Sequence, residues 1–383
     1  MGGANPQSID LDVLMAGKRM WGGRFQEPPD SLLLRVNASI YFDQALVDQD
    51  VLGSLAQARM LGKIGIVTAD ESTQLEEALL EVLSDFHQGK VKIDPELEDI
   101  HTHVEHALRG KLGNDLAGKL HSGRSRNDQI ALDEALWLRE QVGILRHACL
   151  DTAENLLNQA EESRDILVPG VTHLQPAQPI TVAHHLMAHT LPLLRDESRL
   201  ADLRTRIGYC PLGSAALAGS PLPLDRNLVA DLLGFEKGPS RNSMDSVSDR
   251  DLLVEACQVA SLTGIHLSRL AEDLILWSTP AFGYIKLPEA SCTGSSLMPQ
   301  KRNPDALELV RGKSGRLVGA SVRLLTVMKG LPLAYNKDLQ EDKEPLFDAI
   351  LNLKDMLALV DLSLNGLVVD EDRCQAALSA CPD

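Results

Sequence analysis

The sequence predicts a mainly α-helical chain built around a central bundle of long antiparallel helices. Three observations carry this. Period-two apolar alternation, the mark of a half-buried strand, is almost absent. Apolar residues recur instead at helical spacing over segments of roughly 25–30 residues, about twice the globular mean. Aromatic residues are 3% of the 383, so the core has to be assembled from Leu, Ala, Val and Ile.

Taken in order, Thr68-Ala69-Asp70-Glu71 is a capping box, followed by Leu75, Leu79, Val82, Leu83 and Phe86 on one helical face. From Ile130 to about Ala160 there is no proline, and Leu138, Val142, Leu145 and Cys149 line one side. Residues 181–207 continue the pattern around Pro192, where a kink is expected. In 251–278, Leu252, Leu253, Ala256, Val259 and Ala260 form a stripe that Leu267, Leu270, Ala271 and Leu274 extend. Its middle, Val259 to Leu267, carries no Asp, Glu, Lys or Arg, so burial among other helices is expected. Two more helices are predicted, from Asp305 to about Lys329 and from Pro345 to about Leu364. Successive helices of this length favour a bundle. The Pro/Gly/Ser-rich connections 208–224, 234–249 and 279–304 exceed the usual helix–helix loop, and long ordered loops tend to carry function.

Composition excludes several classes. Lys plus Arg number 37 against 54 Asp plus Glu, a net charge of −17, which argues against nucleic-acid or membrane-surface partners. No apolar run is long enough for a membrane span. Met1-Gly2-Gly3-Ala4-Asn5-Pro6 lacks the basic and then apolar regions of a secretory leader, so secretion is not expected, and Met15-Ala16-Gly17-Lys18 resembles a second start, making the first fourteen residues look dispensable. The six cysteines are scattered without a Cys-x-x-Cys pair, which predicts reduced thiols in a cytoplasmic protein. Dinucleotide and P-loop fingerprints are missing, as is a Gly-x-Ser-x-Gly elbow. His101, His103 and His106 with Glu105 lack the i, i+4 histidine pair of a helical zinc motif.

Three polar clusters each precede a long helix. In His121-Ser122-Gly123-Arg124-Ser125-Arg126-Asn127-Asp128, Ser125 and Asp128 form an N-cap signature, so Arg126 and Asn127 occupy the first turn. Arginine there opposes the helix dipole unless an anion binds. In Thr172-His173-Leu174-Gln175-Pro176-Ala177-Gln178-Pro179, the prolines hold the chain extended ahead of a helix from about Thr181. His184, His185 and His189 on that helix are expected to be packing or surface residues. In Gly294-Ser295-Ser296-Leu297-Met298-Pro299-Gln300-Lys301-Arg302-Asn303-Pro304-Asp305, Asn303 is the expected N-cap and Pro304 the first helical residue. Positive side chains at helix starts in an acidic chain point to a small ligand carrying several carboxylates.

These residues resemble the argininosuccinate lyase family of the fumarase/aspartase superfamily, which includes δ-crystallin. The superfamily signature Gly-Ser-Ser-x-Met-Pro-x-Lys-x-Asn-Pro runs unbroken from Gly294 to Pro304. Narrower matches are Trp21-Gly22-Gly23-Arg24-Phe25, Asn37-Ala38-Ser39, Gly123 to Asp128 and Tyr335 to Glu344. Ser122 stands where threonine is more usual and keeps the hydroxyl.

The resemblance implies cleavage of argininosuccinate to arginine and fumarate, in arginine biosynthesis and the urea cycle, without cofactor or metal. It implies Ser295 as the base, on a mobile loop, and His173 as the general acid. Ser39, Asn127, Thr172, Lys301, Asn303, Tyr335, Gln340 and Lys343 would contact the substrate. Arg126 would be a further carboxylate ligand, and His101 either a weaker one or a structural hydrogen-bond partner. It also implies a homotetramer whose active sites are each shared by three subunits. The expected domains are a mostly helical N-terminal one over 1–122 (with 1–17 flexible), the bundle over 123–368, and 369–383 as the remnant of a truncated C-terminal helical domain. Two readings stand beside the enzyme: a crystallin-like or inactive subunit, and a superfamily lyase acting on adenylosuccinate or fumarate. The Gln340-Glu341-Asp342-Lys343 run argues against the latter.

Overall fold

A computed structural model of the chain describes residues 30–94 and 96–381. The Trp21–Phe25 match and the expected flexible segment 1–17 lie outside them. The elements begin with α1 (Ser31–Asn37), α2 (Ile40–Asp43), α3 (Val47–Lys63), α4 (Ala69–His87), α5 (Ile100–Lys119) and α6 (Arg126–Glu162). A hairpin follows, β1 (Leu167–Thr172) and β2 (Gln175–Thr181), then α7 (Val182–Arg206), α8 (Arg226–Leu232), α9 (Ser243–Ser246) and α10 (Asp251–Ser278). The rest comprises β3 (Ile285–Lys286), α11 (Asp305–Met328), α12 (Lys343–Leu364), β4 (Val368–Val369) and α13 (Glu371–Ser379). The chain is mainly α, as its periodicity predicts.

Two compact units share these elements. The first holds the chain up to Trp137 with Gly208–Ser248 and Leu333–Asn336; the second holds Leu138–Ile207, Asp249–Pro332 and the chain from Lys337 onward.

In the first unit α3 packs on α4 and α5, burying Val51, Met60, Leu61, Leu75, Leu79 and Val104. Each fully buried side chain of this kind stabilises by about 1.5–3 kcal/mol. The capping box forms: the Thr68 hydroxyl accepts from the Glu71 amide at 3.1 Å, and the Glu71 carboxylate accepts from the Thr68 amide at 2.9 Å. Gly53 allows close approach, since a Cβ there would lie 2.7 Å from the Leu132 side chain.

In the second unit α10 packs against α11, α12 and α7. Its buried face is the predicted stripe, Leu253, Ala256, Val259, Ala260, Leu267, Leu270, Ala271 and Leu274. The uncharged middle is buried on that side alone, and Ile265 points outward. The helix bounds agree with the sequence reading to within a few residues, and Pro192 sits inside α7 without ending it.

Two local expectations are corrected. The extended segment before α7 is the second strand of a hairpin, with Thr172 opposite Gln175 and Leu167 opposite Thr181. Its two loop residues, His173 and Leu174, have φ of 55° and 58°, the positive values of a type I′ turn. Burial in this ribbon runs in blocks, with Val168, Pro169 and Gly170 buried together in β1 and Gln175 to Pro179 exposed in β2, so no alternation is left to read. The second correction concerns α11: Pro304 holds the cap position, with no side-chain cap. Asn303 is instead paired through its main chain to Thr293, N to O at 2.8 Å and 3.1 Å. That bridge captures both backbone groups of Asn303 before it can act as a cap.

Candidate active site

The signature segment is a loop tied at its neck. The Thr293–Asn303 bridge closes it, and the Thr293 hydroxyl also bonds the Asp305 carboxylate at the start of α11. Inside, the Ser295 hydroxyl accepts from the Met298 amide at 3.2 Å, and the Lys301 amide donates to the Met298 carbonyl at 3.0 Å. Ser295 is half-buried and Lys301 exposed. The two neighbouring cations differ: Arg302 is paired with Glu289 at 2.5 Å, whereas the Lys301 ammonium has no ion-pair partner among the described residues. The loop therefore presents the Ser295 and Ser296 hydroxyls and one available positive charge.

Thr172 and His173 sit together at the hairpin tip, both exposed, and no hydrogen bond to the imidazole occurs among the described residues. Gly170 permits this hairpin, because a Cβ there would meet the Gln178 carbonyl oxygen at 2.6 Å. Behind the tip lies a cavity of about 400 Å³ whose wall includes Thr172, Gln178, His185, Asp273 and Trp277. His185, His189 and Asp273 were not singled out by the sequence reading as a group. The i, i+4 spacing of the two histidines was the available signal. No hydrogen bond or ion pair links the hairpin tip to Ser295, Lys301 or Asn303 among the described residues.

In the first unit the predicted N-terminus of α6 is present. The Ser125 amide donates to Asp128 at 2.9 Å, and the Asn127 amide to the Ser125 hydroxyl at 3.3 Å. The turn before it needs Gly123, whose φ is 72° and whose Cβ would lie 2.9 Å from Leu224. Asn127 donates to the Ala216 carbonyl at 2.9 Å. Arg126 finds its anions within the unit: Glu105 at 3.2 Å and Asp99 at 3.6 Å. Burial would lower its basicity, but these two carboxylates raise it. Ser39 is buried, its hydroxyl donating to Asp43. Tyr335 is half-buried in the same unit.

His101 is fully buried between Asp50, 2.9 Å away, and Asp133, 3.3 Å away. Burial alone would lower its pKa, yet the Asp50 charge and hydrogen bonds to both carboxylates push it up to about 10. Burial and the nearby Asp50 charge push Asp133 up to about 7. Burial would raise Asp50 as well, but protonated His101 holds it well below the usual carboxylate range. Gln129 also donates to Asp50. This is an internal ion cluster, the structural alternative for His101. His103 is a separate staple, its Nδ1 donating to the Asp99 carbonyl at 2.8 Å and its Nε2 accepting from the Asp94 amide at 2.9 Å.

In the second unit Gln340 lies in a 3₁₀ turn, Lys337–Asp342, that leads into α12. Lys343 is buried, its ammonium 2.9 Å from Asp342, which also binds the buried Arg250. The potential metal ligands among the described residues form two groups, Asp50–His101–Asp133 and His185–His189–Asp273.

The sequence model of the family described as lyase matches residues 23–319. The chain is 49% identical to the argininosuccinate lyase of Halorhodospira halophila over 364 residues, covering 95% of this chain and 78% of that one. It is 51% identical to the argininosuccinate lyase of Syntrophotalea carbinolica, covering 89% and 74%. Among solved structures, EDDS lyase in complex with formate is similar with a TM-score of 0.79 and 31% identity, covering 88% of this chain and 66% of that one. The class II fumarase of Schistosoma mansoni has the same fold at a TM-score of 0.79, with 16% identity and coverage of 91% and 82%.

Proposed function

Since the chain belongs to the argininosuccinate lyase family and its reaction is the elimination that releases arginine and fumarate from argininosuccinate, we propose that Ser295 is the base of that reaction. The acid to be overcome is a C–H beside a carboxylate. Removing its proton gives a doubly charged aci-carboxylate, which fixed donors and positive charge have to stabilise. The departing guanidino nitrogen then takes a proton from an acid, and the electron pair of the broken C–N bond leaves with it. The new C=C bond completes fumarate.

The single observation that carries the assignment is the closed loop 293–303, which presents the Ser295 hydroxyl together with an unpaired Lys301. Lys301 supplies the charge that favours a serine alkoxide and the aci-carboxylate. Leu297, on the same loop, is 85% exposed, which supports a loop that closes over substrate. His173 is the proposed acid; its exposed position at the hairpin tip supports that role. Ser39, Asn127, Thr172, Asn303, Tyr335, Gln340 and Lys343 are the proposed substrate contacts. Arg126, neutralised by Glu105 and Asp99, is better suited to holding the Asn127 turn than to binding a substrate carboxylate. His101 acts at a remove through the same unit.

A homotetramer with shared sites is the proposed assembly. An apolar stripe on α11 supports it: Val318, Val322 and Leu325 lie on one face at 42%, 58% and 47% exposure, more than a helix in water usually shows in a row. A cytoplasmic setting in arginine biosynthesis is proposed too, in keeping with six free cysteines, four of them buried.

The test is Ser295→Ala. Fumarate release, followed by ultraviolet absorbance, should fall by at least about 10³-fold while substrate affinity stays within about tenfold. Turnover near the unaltered level would remove Ser295 from the mechanism.

A further inference from the structure

Three side chains able to ligate a metal, which the elimination does not use, converge in the second unit: His185 and Asp273 line the 400 Å³ cavity, and His189 stands beside them. His185 and His189 stand one turn apart on α7, a spacing that puts both imidazoles on one helix face. Asp273 reaches toward them from α10. Its Oδ2 lies 2.8 Å from Nε2 of His189 and 3.4 Å from Nε2 of His185. The second contact is poorly aligned, and Nε2 of His185 is buried without a hydrogen bond. Trp277 stacks on the His185 ring with centroids 4.2 Å apart, and the His189 ring stands edge-on to it at 5.2 Å. Both rings are thereby oriented with the same nitrogen toward one carboxylate oxygen.

We propose that His185, His189 and Asp273 form a binding site for a divalent transition-metal cation of the zinc type, with an open coordination position facing the cavity. Two imidazole nitrogens and one carboxylate oxygen suit such an ion, whereas magnesium and calcium favour oxygen ligands throughout. A tetrahedral ion with bonds of about 2.0–2.1 Å sets its ligand atoms about 3.4 Å apart. The His185–Asp273 separation already has that value, and the His189–Asp273 hydrogen bond has to lengthen by about 0.6 Å for the ion to enter. Thr172 and Gln178 line the same cavity and offer polar groups to a water or small anion at the open position.

The experiment titrates zinc into the chelator-stripped full chain, in competition with a chromophoric chelator, and records X-ray absorption at the zinc edge. The expected result is one ion per chain with micromolar or tighter affinity and a nitrogen/oxygen shell at about 2.0–2.1 Å. His189→Gln, His185→Asn and Asp273→Asn should each weaken binding at least about tenfold with an unchanged helical circular-dichroism signal. Millimolar affinity, undiminished binding in folded variants, or a sulfur shell at about 2.3 Å that points to cysteines, would each overturn the proposal. Should a variant fail to fold, the stoichiometry and shell of the unaltered protein decide the matter.

Discussion

Asp342 bridges two buried cations, Arg250 and Lys343, and replacing it with asparagine tests that one negative charge. Arg250 donates to one carboxylate oxygen and Lys343 to the other, the latter at 2.9 Å, with all three side chains 3% exposed or less. Asparagine keeps the volume, so no cavity forms, and its carbonyl still accepts one hydrogen bond. What disappears is the negative charge. Removing the carboxylate from a buried ion pair costs about 3–5 kcal/mol, because the remaining buried cation loses its counter-charge. Two partners sharing one carboxylate place the expected loss at the upper part of that range. Against a typical stability of about 5–15 kcal/mol this is large. With an m-value near 3 kcal/mol/M, the urea midpoint should drop by more than about 1 M at fixed protein concentration. Adding Arg250→Met removes one of the two buried cations and should restore part of the loss. The pH dependence has a definite sign. Burial would raise the Asp342 pKa, but Lys343 and Arg250 hold it below its unfolded value. Its contribution is therefore complete above about pH 4 and lost as the pH falls toward about 2. The gap between the two proteins should stay constant from pH 8 to 5 and close below 4. A midpoint shift under about 0.3 M urea, or a gap that widens in acid, would refute the reasoning.

Three further outcomes are expected. Gly170→Ala drives a Cβ to 2.6 Å from the Gln178 carbonyl, so the hairpin opens and the His173 tip moves. Fumarate release should fall about 100-fold with the helical signal intact, and activity within twofold would show that the hairpin positions nothing. The His101 pKa, pushed up to about 10, lies above its unfolded value of about 6.5, so its stabilisation is full below that pH and lost as the pH climbs to about 10. Unfolding midpoints should decline between pH 7.5 and 10, and the decline should flatten in His101→Gln; equal slopes would exclude a titrating His101. Mixing inactive His173→Asn with inactive Ser295→Ala, followed by reassembly, should recover a fraction of activity, whereas a hetero-oligomer that forms and stays inactive would mean each site is built within one subunit.

Helices, their starts and the family were legible in the chain itself because their signals are local. The Thr68 capping box, the Ser125–Asp128 cap and the stripe from Leu253 to Leu274 each depend on residues within a few turns. The signature from Gly294 to Pro304 is one unbroken run. Tertiary structure decided whatever depends on partners distant in sequence. Asn303 was a good local cap candidate, yet a main-chain bridge to Thr293 took its backbone. Arg126 in a first turn called for an anion, and Glu105 and Asp99 of the preceding helix region supplied it. The hairpin that carries Thr172 and His173 has no alternation, since its burial comes in one block, Val168 to Gly170, set by packing against distant elements. His185 and His189 are a turn apart on one helix, but Asp273 reaches them from another helix altogether. A side chain's local window sets its backbone conformation, while its charge partner is set by packing, which no short window of sequence contains.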